Sequence, residues 1–205
     1  MDQHGPSLAG IGALLLASAA LMGSPGPSTV SVTAVGAAFG VRRSLGYALG
    51  LIAGTCLVLF VVATGVFALV AAAPGLSPLL TAASAAYIAY LAIRIARAPP
   101  LRKEGPAAGV PSCAAGLLLA AANPKAYVAI AAVFAGSHIG GLSPAAEMAA
   151  KMALLACMVV LIHLGWLCAG ASLSRALSDR VASRSVNVAL AIVLVVTSAL
   201  AILPW

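Results

Sequence analysis

The chain has 205 residues, of which 63% are hydrophobic and 7% charged, with a net charge of +7. A soluble core cannot hide that much apolar surface in a chain of this length, so lipid has to be the solvent for most of it. The basic excess falls in short clusters between apolar runs, which excludes a nucleic-acid partner and points to a membrane.

Six apolar stretches are long enough to span a bilayer: roughly Leu8 to Phe39, Ser44 to Ala72, Leu79 to Ala96, Ser112 to Ala135, Pro144 to Leu173 and Ser185 to Leu203. The first contains Gly23-Ser24-Pro25-Gly26-Pro27-Ser28. Proline removes a backbone donor and clashes with the preceding turn, so this helix is expected to break there, with a half-helix restarting near Ser28 and Thr29. Ala17-Ser18-Ala19 has the small-x-small pattern of a cleavage site, but Met1 to Ser7 carries no Lys or Arg, so an uncleaved first span is the expectation. Arg42 and Arg43 follow span one, Arg94, Arg97, Arg102 and Lys103 follow span three, and Arg175, Arg180 and Arg184 follow span five. The positive-inside rule then places both termini outside the cytoplasm of a multi-pass membrane protein.

Gly46, Gly50 and Gly54 lay a smooth stripe on span two, for packing inside one protomer or for a homodimer contact. The stretch from about 98 to 111 is proline-rich and charged, and reads as a cytoplasmic linker. Span four contains the second break, Asn123-Pro124-Lys125. Asn123 can cap the half-helix that begins at Pro124, and Lys125 sits deep in an apolar run, where a lysine costs about 2.5–3.5 kcal/mol. Span five opens with Glu147 and Lys151, four residues apart in the favourable order, and carries His163 further in. For Glu147 and Lys151 an interfacial ion pair stands beside an outer gate or proton-carrying carboxylate; for His163 a packing role stands beside proton transfer.

Three spans on each side of the linker give a single domain, 1–205, of two units of opposite orientation, about 7–97 and about 112–204. The fold expected is therefore an all-α integral membrane protein with six transmembrane helices in two inverted three-helix repeats, helices one and four being broken. Paired breaks in matching positions are the best sequence pointer to the substrate site of a secondary transporter. Each break leaves unpaired N–H groups and the positive end of a helix dipole, suited to a carboxylate, while the carbonyls before it suit an ammonium group. A zwitterionic amino acid matches both. No Asp or Glu lies in the middle of any span, which favours neutral or small amino acids over Lys or Arg as cargo.

Ser24-Pro25-Gly26-Pro27, then Gly40-Val41-Arg42-Arg43-Ser44-Leu45-Gly46 with Gly50 and Gly54, resembles the first-half signature of the LysE/RhtB family of amino-acid exporters. Ala86-Tyr87-Ile88-Ala89-Tyr90-Leu91 resembles its third span, and Asn123-Pro124-Lys125-Ala126 its fourth-span motif. The resemblance implies a bacterial inner-membrane exporter of amino acids or related metabolites, driven by the proton gradient or the membrane potential. Substrate-binding residues carried over or adjoining the motifs are Pro25, Gly26, Pro27, Ser28, Thr29, Asn123, Pro124 and Lys125. Outside the motifs, Glu147, Lys151 and His163 are the candidates for gating or proton coupling, and Arg42 and Arg43 stand either as anchors of the cytoplasmic interface or as gating residues that attract anionic groups at the inner mouth. The chain departs from the family at Ser28, where Asp or Asn is common, and at Val133 to His138, where a Phe- and Pro-Gln-Phe-rich end is usual.

Two rival readings frame the expectation. A metal or other cation exporter needs clustered Cys, His or Asp ligands in the membrane, and none is evident, so no metal and no cofactor is expected. An enzyme or redox carrier needs a nucleophile–base pair or paired cysteines, whereas Cys56, Cys113, Cys157 and Cys168 form no Cys-x-x-Cys motif.

Overall fold

A computed structural model describes residues 6–65 and 109–176, with isolated positions at 93, 185, 188, 189, 192 and 196. The expected third and sixth spans, and most of the linker, lie outside the described residues. Every described element is helical: α1 (Leu8–Leu21), α2 (Pro27–Ala63), α3 (Cys113–Ala121), α4 (Pro124–Gly136) and α5 (Pro144–Ala176).

The helix starts follow local chemistry. The Ser7, Ser112, Asn123 and Ser143 side chains accept from backbone N–H groups in the first turns of α1, α3, α4 and α5. Pro27 and Pro124 take first-turn positions, where the missing donor costs nothing. Both expected breaks are present. The first lies between Leu21 and Pro27; the second bends α3 against α4 by 60°.

α2 is not one straight rod. At Gly40 the backbone is non-helical, with φ 74° and ψ 167°, a conformation glycine adopts without strain. Beyond it the chain folds back: Ser44 Oγ donates to the Val35 carbonyl at 3.1 Å, and Tyr47 Oη donates to Ser31 Oγ at 3.0 Å. The arm Pro27 to Phe39 follows the first break, and the arm from Val41 packs back against it. Two long helices, Pro27–Ala63 and Pro144–Leu173, are apolar enough to cross a membrane, and the bent pair α3–α4 makes a third candidate span. Their outward faces carry exposed Leu49, Phe60, Leu118 and Leu161, the surface lipid would cover.

Glycines set the packing. A methyl group on Gly50 would collide with the Cys113 carbonyl, one on Gly54 with Leu117, and one on Gly116 with the Tyr47 carbonyl, so α2 and α3 pack backbone to backbone. Gly36 against Leu167, and Gly170 against Thr33, bring α5 equally close to α2. The Gly50–Gly54 part of the stripe therefore packs inside the protomer, whereas Gly46 faces open space.

The core divides into two apolar clusters. One gathers Val30, Tyr47, Leu51, Leu119 and Leu167; the other gathers Leu14, Val58, Ile130, Ile139 and Leu155. Every packed unit contributes to both, with a polar residue in between. Thr55 lies between Leu51 and Val58, Asn123 between Leu119 and Ile130, and His163 between Leu155 and Leu167. The first break lies between Leu14 and Val30.

Candidate functional site

The two breaks, about a hundred residues apart in sequence, touch. Asn123 Nδ2 donates to Ser28 Oγ at 2.9 Å, while the Asn123 side-chain oxygen caps its own helix at the Lys125 N–H, 3.1 Å away. The Lys125 ammonium reaches across to the first break and donates to Ser24 O, Ser24 Oγ and Pro25 O, each at 2.7 Å. An ammonium has three protons, and all three are engaged. The carbonyls that the sequence offers to a substrate amine are, in this conformation, held by the protein's own lysine.

The remaining polar groups of the first break are also placed. Thr29 Oγ1 accepts from the Gly26 N–H at 2.9 Å, and Trp166 Nε1 donates to the Gly23 carbonyl at 3.0 Å. Gly26 has no side chain to cap the helix that follows, so the N–H groups of Ser28 and Thr29 receive no side-chain cap. The two half-helix starts therefore differ: that of α4 is closed by Asn123, and that of α2 is open. Gly26 also has to be glycine for a second reason, since a methyl group there would lie 2.6 Å from Lys125 Cδ.

Ser24, Gly26, Ser28, Thr29, Asn123 and Lys125 line one cleft, together with Thr55 of α2 and His163 of α5. Its cavity volume is about 40 Å³, room for about three waters. The cleft lies between the two apolar clusters, and Leu21, Met22, Ile130, Val159 and Ile162 share its walls with the polar groups. Ser28, Thr29, Asn123 and His163 are all buried there. Pro25, Gly26, Pro27 and Pro124 shape the breaks rather than offering side-chain polar groups.

The other expected residues lie elsewhere. Glu147 and Lys151 do pair, at 3.0 Å, in a network away from the cleft. Glu147 Oε1 accepts from the Ile139 N–H at 2.9 Å and contacts His138 Nδ1 at 2.8 Å. Lys151 Nζ donates to the carbonyls of Ser137 and Phe134 and sits 5.4 Å from the centre of the Phe134 ring. The ion pair thereby closes the C-terminus of α4, where carbonyls lack partners and a cation is favoured. Ser7 N–H donates to Gly140 O at 3.1 Å, so the start of α1 lies at this same end. Arg42 and Arg43 are exposed beside the Gly40 turn and do not approach the cleft.

Three members of the site carried little or no signal in sequence. Ser24 sits inside the first motif, but its role as a lysine partner needs the other half of the chain. Thr55 and Trp166 are single residues in apolar helices, with no spacing that marks them. Among the described residues no group of three or more His, Cys, Asp or Glu is arranged to hold a metal ion.

No curated protein and no solved structure matches the chain significantly. A family model does: that of the LysE type translocators, over residues 19–203, a range that takes in both breaks, the cleft and every described helix except most of α1. With almost its whole length matched, the chain belongs to the LysE type translocator family, and is a multi-pass membrane transporter.

Proposed function

We propose that this translocator exports amino acids or closely related small metabolites from the cytoplasm across the bacterial inner membrane. The observation that carries the proposal is the meeting of two helix breaks in a buried polar cleft flanked by two apolar clusters. Two such clusters can serve as alternating seals, one opening toward each side while the other stays packed, around a fixed midpoint. The six spans form two inverted three-helix repeats, and the antiparallel placement of the first and fourth spans follows from that symmetry.

In this scheme the cargo carboxylate is received by the uncapped N–H groups at Ser28 and Thr29, with the positive end of the helix dipole behind them. Lys125 acts as a tie between the halves. A carboxylate that reaches it competes with Ser24 and Pro25, so loading the site loosens the link between the breaks. Because the cleft holds only about 40 Å³, loading and widening have to go together. The energy comes from the proton gradient or the membrane potential. The network of Glu147, Lys151 and His138 acts as a latch at the outer end, Arg42 and Arg43 hold the cytoplasmic surface, and both termini lie outside.

The test is export by whole cells that lack their own exporters. Cells are loaded with dipeptides, and every amino acid appearing in the medium is followed with and without the protein. Selective release of one or a few amino acids, lost in Lys125→Ala while membrane insertion is retained, is the expected result. Export by Lys125→Ala at the normal rate would remove the lysine from the mechanism, and no release at good expression would remove amino acids as cargo.

A further inference from the structure

His163 lines the cleft and carries a buried lone pair that nothing among the described residues uses. Its Nδ1 lies 2.8 Å from the Val159 carbonyl, one turn back on α5. A carbonyl only accepts, so Nδ1 is the protonated nitrogen and, in the neutral ring, Nε2 is bare. Nε2 is buried and has no hydrogen-bond partner; among the described residues it is the single buried side-chain polar atom in that position. The ring is 4% exposed, and His163 is one of the residues lining the cleft at the two breaks. The hydrogen bond to Val159 holds the ring, so the unused lone pair is a fixed feature of the wall rather than a rotamer passing by.

The rest of the cleft explains what that lone pair is for, given the exporter reading above, on which this inference rests. A zwitterion brings an anionic and a cationic end. The anionic end has the uncapped N–H groups of Ser28 and Thr29 and the lysine of α4. The cationic end, on arrival, finds the obvious acceptors engaged, because Ser24 O, Ser24 Oγ and Pro25 O hold Lys125 until a carboxylate draws it away, and Gly23 O holds Trp166. We infer that Nε2 of His163 accepts the hydrogen bond from the protonated amine of the cargo, so that an N–H donor is a condition for entering the cleft.

One consequence follows for coupling. A proton on Nε2 turns the acceptor into a donor and adds a positive charge, so a proton and a cargo ammonium exclude each other at this atom. Lys125 of α4 is the other ionisable side chain lining the cleft, and α1 and α2 contribute only uncharged ones among the described residues. Neither Glu147 nor His138 lines it. Exchange of cargo for a proton then needs no second site.

The experiment reads the nitrogen directly. The chain has three histidines, His4, His138 and His163, so nitrogen-15 histidine spectra of the purified protein in lipid nanodiscs are sparse, and His163→Phe identifies the signal. The ligand added is the amino acid released in the whole-cell experiment or, where none is released, an equimolar mixture of the twenty. The control is the matching set of carboxylic acids without the amine. Expected are an unprotonated Nε2 in the free protein, an upfield shift with the amine-bearing set, and none with the control. His163→Phe should weaken binding of the amine-bearing set by about tenfold or more, and His163→Gln, which keeps an acceptor oxygen, by less. A protonated Nε2 in the free protein, an equal response to both sets, or no response to the amines overturns the inference. Export in cells with an unmoved His163 signal overturns it while leaving the exporter reading in place.

Discussion

At the scale of the residue, the site turns on how Gly26 and Lys125 share space. The methyl group of a Gly26→Ala variant would meet the far end of a flexible side chain, Lys125 Cδ at 2.6 Å and Nζ at 2.9 Å, rather than backbone. The lysine can swing aside, so the expected outcome is a protein that folds and inserts normally but exports poorly, measured by cell release against surface-exposed protein. Displacing the ammonium leaves Pro25 O to water and Ser24 O with only the longer bond from Thr29 Oγ1, at 3.4 Å, so the cost falls on the link between the breaks rather than on stability. A second expectation concerns pH. Cargo binding to Nε2 of His163 requires the unprotonated ring, so affinity should be level above its titration and fall about tenfold per pH unit below it. In His163→Gln that fall should vanish, as equilibrium binding across a pH series checks. The breaks were legible in the sequence because proline disrupts a helix whatever surrounds it. The partners of Lys125 were not, since Ser24 and Pro25 lie about a hundred positions away and only folding brings them within 2.7 Å. For His163 the sequence could not tell the two nitrogens apart: Nδ1 is hydrogen-bonded to Val159, and Nε2 has no partner.

At the scale of the element, glycines that face backbone and glycines that face open space should part company. Gly50→Ala, Gly116→Ala and Gly170→Ala each place a methyl group against a carbonyl of a neighbouring helix that cannot move alone. Each is expected to cost about 1–3 kcal/mol by overpacking, while Gly46→Ala, which meets nothing within 4 Å, should be neutral or slightly stabilising. Thermal unfolding in a fixed detergent distinguishes them. The four-residue repeat of Gly46, Gly50 and Gly54 announced close packing from sequence, although it did not tell which of the three faced a neighbour. Gly36, Gly116 and Gly170 carried no such announcement. A lone glycine in an apolar helix has no periodicity to betray it, and its partner, a backbone carbonyl on another helix, leaves no trace in composition. The ion pair of Glu147 and Lys151 was readable as a pair from its spacing; its attachment to the end of α4 was not.

At the scale of the whole molecule, the described helices arrange a polar midpoint between two apolar clusters, and the single-residue turn at Gly40 is what lets α2 supply both of its arms. That turn also bears on how the chain enters the bilayer. The arm Pro27 to Phe39 is about 20 Å long, well short of a hydrocarbon core of about 30 Å, and it carries Ser28, Thr29, Ser31 and Thr33. Alone it is a poor candidate for stable insertion during synthesis. The returning arm, however, ties itself to the first: Tyr47 Oη donates to Ser31 Oγ, and Ser44 Oγ donates to the Val35 carbonyl. The two arms should leave the translocation machinery for lipid as a pair, after the second has emerged. Chains stalled shortly after residue 40 are expected to keep the first arm accessible to water-soluble thiol reagents at an introduced Ser31→Cys, and chains stalled beyond residue 65 to protect it. Protection in both would mean that the half-helix can settle in the membrane before its partner is made.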